Sequence, residues 1–214
     1  MFLLFFLFFN LSSNAQSSVL SKGEWYKIAT IRTGVHKIDA NFLKKAGIDI
    51  AKVNPQNLRI YGNGGGVLPQ ANNIPRPIDL TENAIEVVGE NDGKFDTSDY
   101  IIFYAESLHQ VIYNTDSQQF THQNNPYSDS TFYFLNISDT KGLRIKNQAL
   151  VTATKSVNSF DDFSFHEIDQ RNIVSLGGKE LGGSGRERYG ESFGLSNEQN
   201  FDLQTEGILP NSVI

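Results

Sequence analysis

The chain has 214 residues, no cysteine and a formal net charge of -6, with an isoelectric point near 5.2. The lack of thiols excludes disulfide staples and any cysteine nucleophile within these residues. The acidic balance, with no basic run, argues against a nucleic-acid or anionic-membrane surface.

Phe2 to Phe9 is an unbroken run of Phe and Leu, followed by Asn10-Leu11 and then Ser12-Ser13-Asn14-Ala15-Gln16. An apolar run ending in a small-x-small step is a signal-peptidase pattern, so residues 1–15 are expected to be an export signal with cleavage before Gln16. A membrane span needs roughly 20 apolar residues, about twice this run, which argues against a permanent anchor. The usual basic n-region is missing; only the amino group of Met1 precedes the run. The mature part, about 200 residues, is long enough to bury a core without staples.

From Trp25 the residues alternate in strand fashion to Ile31; Thr33-Gly34 reads as a turn and Val35 to Ile38 as a second strand, together a hairpin. Asp39 stands where a helix N-cap belongs, and Ala40 to Ala46, closed by Gly47, reads as a short helix with Phe42, Leu43 and Ala46 on one side. Further strands are expected at Asn57–Tyr61, Ala84–Val88, Tyr100–Ala105 and Thr131–Leu135, with Tyr100–Ala105 apolar enough to be buried on both faces. Gln110 to Asp129 is polar and reads as a long surface loop.

The expected fold is mainly β: an antiparallel β-sandwich or barrel-like domain with one or two short helices, followed by the truncated start of a second β domain. The boundaries are 16–155 for the first domain, 156–195 for a Gly-rich connecting segment and 196–214 for the second domain. The alternation Asn200-Phe201-Asp202-Leu203 marks that resumption, and the ending Asn211-Ser212-Val213-Ile214 has the look of a cut within a strand.

Most motif chemistry fails on inspection. His36, His109, His122 and His166 are widely spread, and Gln170 stands where the second histidine of a zinc helix beginning at His166 belongs. Gly62-Asn63-Gly64-Gly65-Gly66 follows a strand, but Leu68-Pro69 stops the helix whose amino terminus would hold a pyrophosphate, so these glycines read as a tight turn or bulge. Gly182 to Arg186 misses the nucleophile-elbow pattern by its last residue, and Gly177-Gly178-Lys179-Glu180 has Glu where a phosphate loop needs Ser or Thr.

The strongest local candidate is Asp92-Gly93-Lys94-Phe95-Asp96-Thr97-Ser98-Asp99, which matches the second half of a dockerin-type calcium loop. Asp92, the Lys94 carbonyl, Asp96 and Asp99 would present hard oxygens around a glycine turn. Val88 occupies the first ligand position, so the plainer reading is an Asp-Gly turn whose carboxylates cap backbone amides. Tyr113, Tyr127 and Tyr133 are candidates for a glycan-stacking platform, with sheet core as the plainer reading.

Four segments in order carry a resemblance: GEWYKIATIRTGVHKID from Gly23, LRIYGNGGGVLP from Leu58 with Arg76 and Asp79-Leu80 downstream, GKFDTSDYIIFYAES from Gly93, and SGRERYGESF from Ser184. Together they resemble the amino-terminal region of the type IX secretion system sortases of Bacteroidetes, gingipain-like cysteine peptidases. Arg188 departs from the aromatic expected at its position, and Gly177 to Gly183 looks like a local expansion.

The resemblance implies a cell-surface protein that cleaves the carboxy-terminal sorting domain from secreted cargo and joins the cargo to lipopolysaccharide. It further implies attachment through an outer-membrane barrel, PorV, and catalysis by a Cys and His pair in a later peptidase domain. With no Cys present, no catalytic residue is carried over onto this chain, which would be the non-catalytic amino-terminal fragment. A stand-alone extracellular β-sandwich binding glycan or calcium is the alternative.

Overall fold

The computed structural model describes residues 17–160, 165–168, 189–191, 194, 198–203 and 207. The expected export signal, most of the Gly-rich segment and residues 204–206 and 208–214 lie outside these; Asn200–Leu203, expected to resume strand alternation, is described and is not in a strand.

Within the described residues the chain is mainly β. A first antiparallel sheet is formed by β1 (Trp25–Thr30), β3 (Leu58–Tyr61), β4 (Glu82–Asn83) and β9 (Thr131–Ile137) in the order β1-β9-β3-β4. A second contains β2 (Gly34–Asp39), β5 (Glu86–Val88) and β6 (Tyr100–Ala105) in the order β2-β6-β5. Neither sheet closes on itself, and their inner faces share one hydrophobic core, which makes the fold a sandwich rather than a barrel.

Strand alternation sorts the residues. In the first sheet Ile28 lies opposite Tyr133 and Ile60 opposite Leu135, all buried. In the second, Ile38 and Val87 flank Ile101 from either side. Each such aliphatic side chain contributes roughly 1.5–3 kcal/mol by leaving water, and this core stands in for the staples the sequence lacks.

Trp25–Thr30 and Gly34–Asp39 do not form the expected hairpin. β1 pairs with β9 and β2 with β6, so the Ile31–Thr33 link carries the chain from one sheet to the other. Ser107 braces that corner: its N–H donates to Thr33 Oγ1 at 2.8 Å and its hydroxyl to the Ile31 carbonyl at 3.1 Å. Long-range partners with apolar inner faces outcompete the local turn, as sandwich connectivity requires.

Asp39 does cap the short helix α1 (Ala40–Lys45), its Oδ1 accepting from the Phe42 amide at 2.8 Å. The buried side is Ala40 and Leu43, however; Phe42 and Ala46 are exposed, because only one turn of so short a helix reaches the core. Likewise β6 is buried on one face only: Ile101, Phe103 and Ala105 point inward, while Tyr104 opposite Val35 is 55% exposed. No further layer covers that face among the described residues, and the Lys37 ammonium lies over the Tyr100 ring at 4.1 Å.

The polar stretch from Gln110 is not a long loop. It folds into a hairpin of β7 (Gln110–Asn114) and β8 (Gln119–Gln123), with Asn114 Oδ1 accepting from the Asp116 and Ser117 amides across the turn. Val111 opposite His122 and Tyr113 opposite Phe120 supply cross-strand pairs that its composition conceals. No helix among the described residues is long and apolar enough to cross a membrane.

Candidate functional site

Three constructions concentrate the polar chemistry of the sandwich. The first is the glycine cluster after β3. Gly64 and Gly66 have φ of +78° and +89°, values that L residues rarely adopt. A Cβ at Gly62 would overlap the Tyr133 ring, and one at Gly65 the Ser107 carbonyl. Close packing and left-handed turns therefore account for the cluster, as the turn-or-bulge reading expects.

Around it lies a depression of about 350 Å³ lined by Gly62, Asn63, Thr81, Asn83, Tyr104, Glu106 and Tyr133 among others. The Gly65 amide donates to Glu106 Oε2 at 3.2 Å, and the Glu106 amide donates to the Tyr133 hydroxyl at 2.8 Å. Asn63 is held at both ends: Nδ2 donates to the Asp79 carbonyl and Oδ1 accepts from the Thr81 amide. Burial pushes the Tyr133 phenol above its usual pKa. A second depression, of about 480 Å³, abuts the first; both are lined by Tyr104 and Glu106, and the second extends to Tyr113 and Phe120 of the hairpin.

The second construction is the Asp92–Asp99 turn. Asp92 Oδ1 accepts from the Lys94 amide at 3.0 Å, and Asp99 Oδ2 accepts from the Asp96 amide at 2.8 Å. Asp99 is buried against Gly89, where a Cβ would overlap its carboxylate. Asp92 and Asp99 thus already serve backbone amides, while Asp96 is exposed. Among the described residues no group of three or more His, Cys, Asp or Glu side chains is placed to hold a metal ion.

The third is a pair of arginine clasps that the sequence reading missed. Arg144 Nε donates to Glu90 Oε2 at 2.7 Å, while its terminal nitrogens donate to the carbonyls of Pro55, Gln56, Leu58 and Leu143. Arg59 bridges to Glu82 at 3.3 Å and reaches the Thr140 and Lys141 carbonyls. Together they lock the chain after β9 onto the start of β3. Nothing nearby in sequence signals these partners.

The remaining candidates are dispersed. Tyr133 is a core residue at 2% exposure that borders the first depression, Tyr113 borders the second and Tyr127 neither, so the three tyrosines form no common platform. His109 and His122 stack on the hairpin at 6.2 Å, and His166 lies in a non-helical stretch with Nε2 at 2.6 Å from Glu191 Oε1. Gly177–Gly183 and Arg186 lie outside the described residues.

Fold and site together define a two-sheet β-sandwich rich in backbone-tying polar side chains, and among the described residues no side-chain hydrogen bond joins a nucleophile to a base at its depressions. The chain is similar to a solved structure, dimeric latent PorU from Porphyromonas gingivalis, with 26% identity and a TM-score of 0.53. The likeness covers 82% of this chain and 14% of that one, so this chain spans about a seventh of its neighbour's length. The fold is PorU-like. No protein-family model and no curated protein matches the chain.

Proposed function

We propose that this chain is the non-catalytic amino-terminal part of a type IX secretion system sortase. The observation that carries the reading is the likeness to PorU across most of the chain, coinciding with motifs whose polar residues have structural work here. Asp79 accepts from the amides of Val19 and Leu80, Asp99 closes the turn before β6, and Gly62 and Gly65 admit Tyr133 and the Ser107 carbonyl. The motifs therefore specify a scaffold, which suits a region preceding a peptidase.

On this reading the protein is exported and sits at the cell surface. The full-length form removes carboxy-terminal sorting domains from secreted cargo and attaches the cargo to lipopolysaccharide. Its Cys and His pair is carried by a later domain, and the outer-membrane barrel PorV holds it in place. The sandwich supplies docking and support.

An in-frame chromosomal deletion of residues 25–145, in the organism that encodes the chain, tests this. Secreted cargo should keep its sorting domains and lose surface attachment. Cargo processed and anchored as in the parent strain would contradict it.

A further inference from the structure

The two abutting depressions at the end of the sandwich are not needed to explain the scaffold. Both are lined by Tyr104 and Glu106, so they neighbour each other across these side chains, the first reaching Gly62–Gly64 and the second the β7–β8 hairpin; the two together are termed the cleft. Their volumes, about 350 and 480 Å³, each fall in the range of small-ligand sites.

The lining combines two kinds of group. Tyr104, Tyr113 and Phe120 are large aromatics left exposed, with Tyr113 and Phe120 in contact at 5.0 Å between ring centroids. Asn63, Asn83 and Glu106 are planar polar groups already fixed by backbone bonds: Asn63 to Asp79 and Thr81, Asn83 to the Gly62 carbonyl, Glu106 to the Gly65 amide. Each retains hydrogen-bonding capacity beyond those bonds, since a carboxylate accepts about four and a primary amide about four in all. Fixed polar groups bind without paying the ordering cost of free side chains.

We propose that this cleft binds an oligosaccharide chain of neutral pyranose units. Sugar rings present an apolar face to an aromatic ring and a rim of hydroxyls to carboxylates and amides, the two kinds of group the cleft offers. Among the described residues Glu106 is the single carboxylate lining it, which fits hydroxyl donors and disfavours anionic polymers. An extended peptide would need a free strand edge for main-chain pairing. Asn83 of the two-residue β4 is too short an edge for that, whereas β7 (Gln110–Asn114), an outer strand of its two-stranded sheet, also borders the cleft, so strand addition by a peptide there is an outcome the test below separates from sugar binding. The proposal is independent of the sortase reading.

The test uses the chain from Gln16 to Ile214 on an array of neutral oligosaccharides, followed by calorimetric titration with the hexasaccharides bound best. Tyr104→Ala and Glu106→Gln should each weaken binding by about tenfold. Melting temperature should hold, because Tyr104 is exposed and Gln keeps an acceptor for the Gly65 amide. Tyr127→Ala, outside the cleft, should leave affinity unchanged. Silence across the array, binding indifferent to both cleft variants, or binding of basic peptides in place of sugars would overturn the proposal.

Discussion

Arg144 and Glu90 meet at 2.7 Å between Nε and Oε2, and the four other contacts of the guanidinium are backbone carbonyls from two separate stretches of chain. Both side chains are mostly buried. Removing the cation leaves Glu90 and several carbonyls without a partner, so Arg144→Ala should cost about 3–5 kcal/mol in chemical denaturation. Arg144→Lys should recover little of it, because an ammonium cannot donate in several fixed directions within one plane.

Gly62 and Tyr133 test the packing beneath the cleft. Gly62→Ala places a methyl within the Tyr133 ring and should destabilise by about 1–3 kcal/mol, as overpacking does. Tyr133→Phe instead removes the acceptor of the Glu106 amide, for a loss of about 1–2 kcal/mol. The phenol's pKa is raised by burial. A folded-state value above the unfolded one near 10 means that the contribution is fully present below about pH 10 and lost as pH rises through the folded value. The alkaline arm of the stability curve should therefore be flatter in Tyr133→Phe.

Asp79 should report on the amino-terminal segment. Backbone bonds from Val19 and then Leu80 hold its carboxyl below the usual range. A depressed folded value gives a contribution present above the unfolded pKa near 3.9 and lost as pH falls toward the folded one. In Asp79→Asn, hydrogen exchange at the Val19 amide should accelerate at neutral pH, with exchange in β9 unchanged.

For the Asp92–Asp99 turn, Asp99→Asn should cost about 1–2 kcal/mol through weakened capping of the Asp96 amide. Millimolar calcium should leave the melting temperature of both proteins in place. A calcium-dependent rise in the parent that vanishes in Asp99→Asn would establish the half-loop as a cation site.

What could be read in the sequence was local. The Asp39 cap, the alternation in β3 and β9 and the glycine turn each depend on neighbours within a few positions. What escaped was set at a distance. β1 and β2 look like a hairpin because Thr33-Gly34 has the composition of a turn, yet Gly34 already belongs to β2 and the two strands' partners are β9 and β6. Arg144 is one basic residue among many until the chain brings it to carbonyls 86 to 89 positions away. The β7–β8 hairpin was hidden by its polar residues, and Glu106 became a candidate only when Gly65 met it from 41 residues away.

The central claim, that this sandwich leads a sortase polypeptide, is tested most directly in the outer-membrane fraction of the organism that encodes it. An antibody raised against residues 17–160 should detect a band several times larger than the 23.9 kDa of this chain, and mass spectrometry of that band should recover cysteine-peptidase peptides. A single band near 23.9 kDa, with no peptidase peptides in it, would contradict the account.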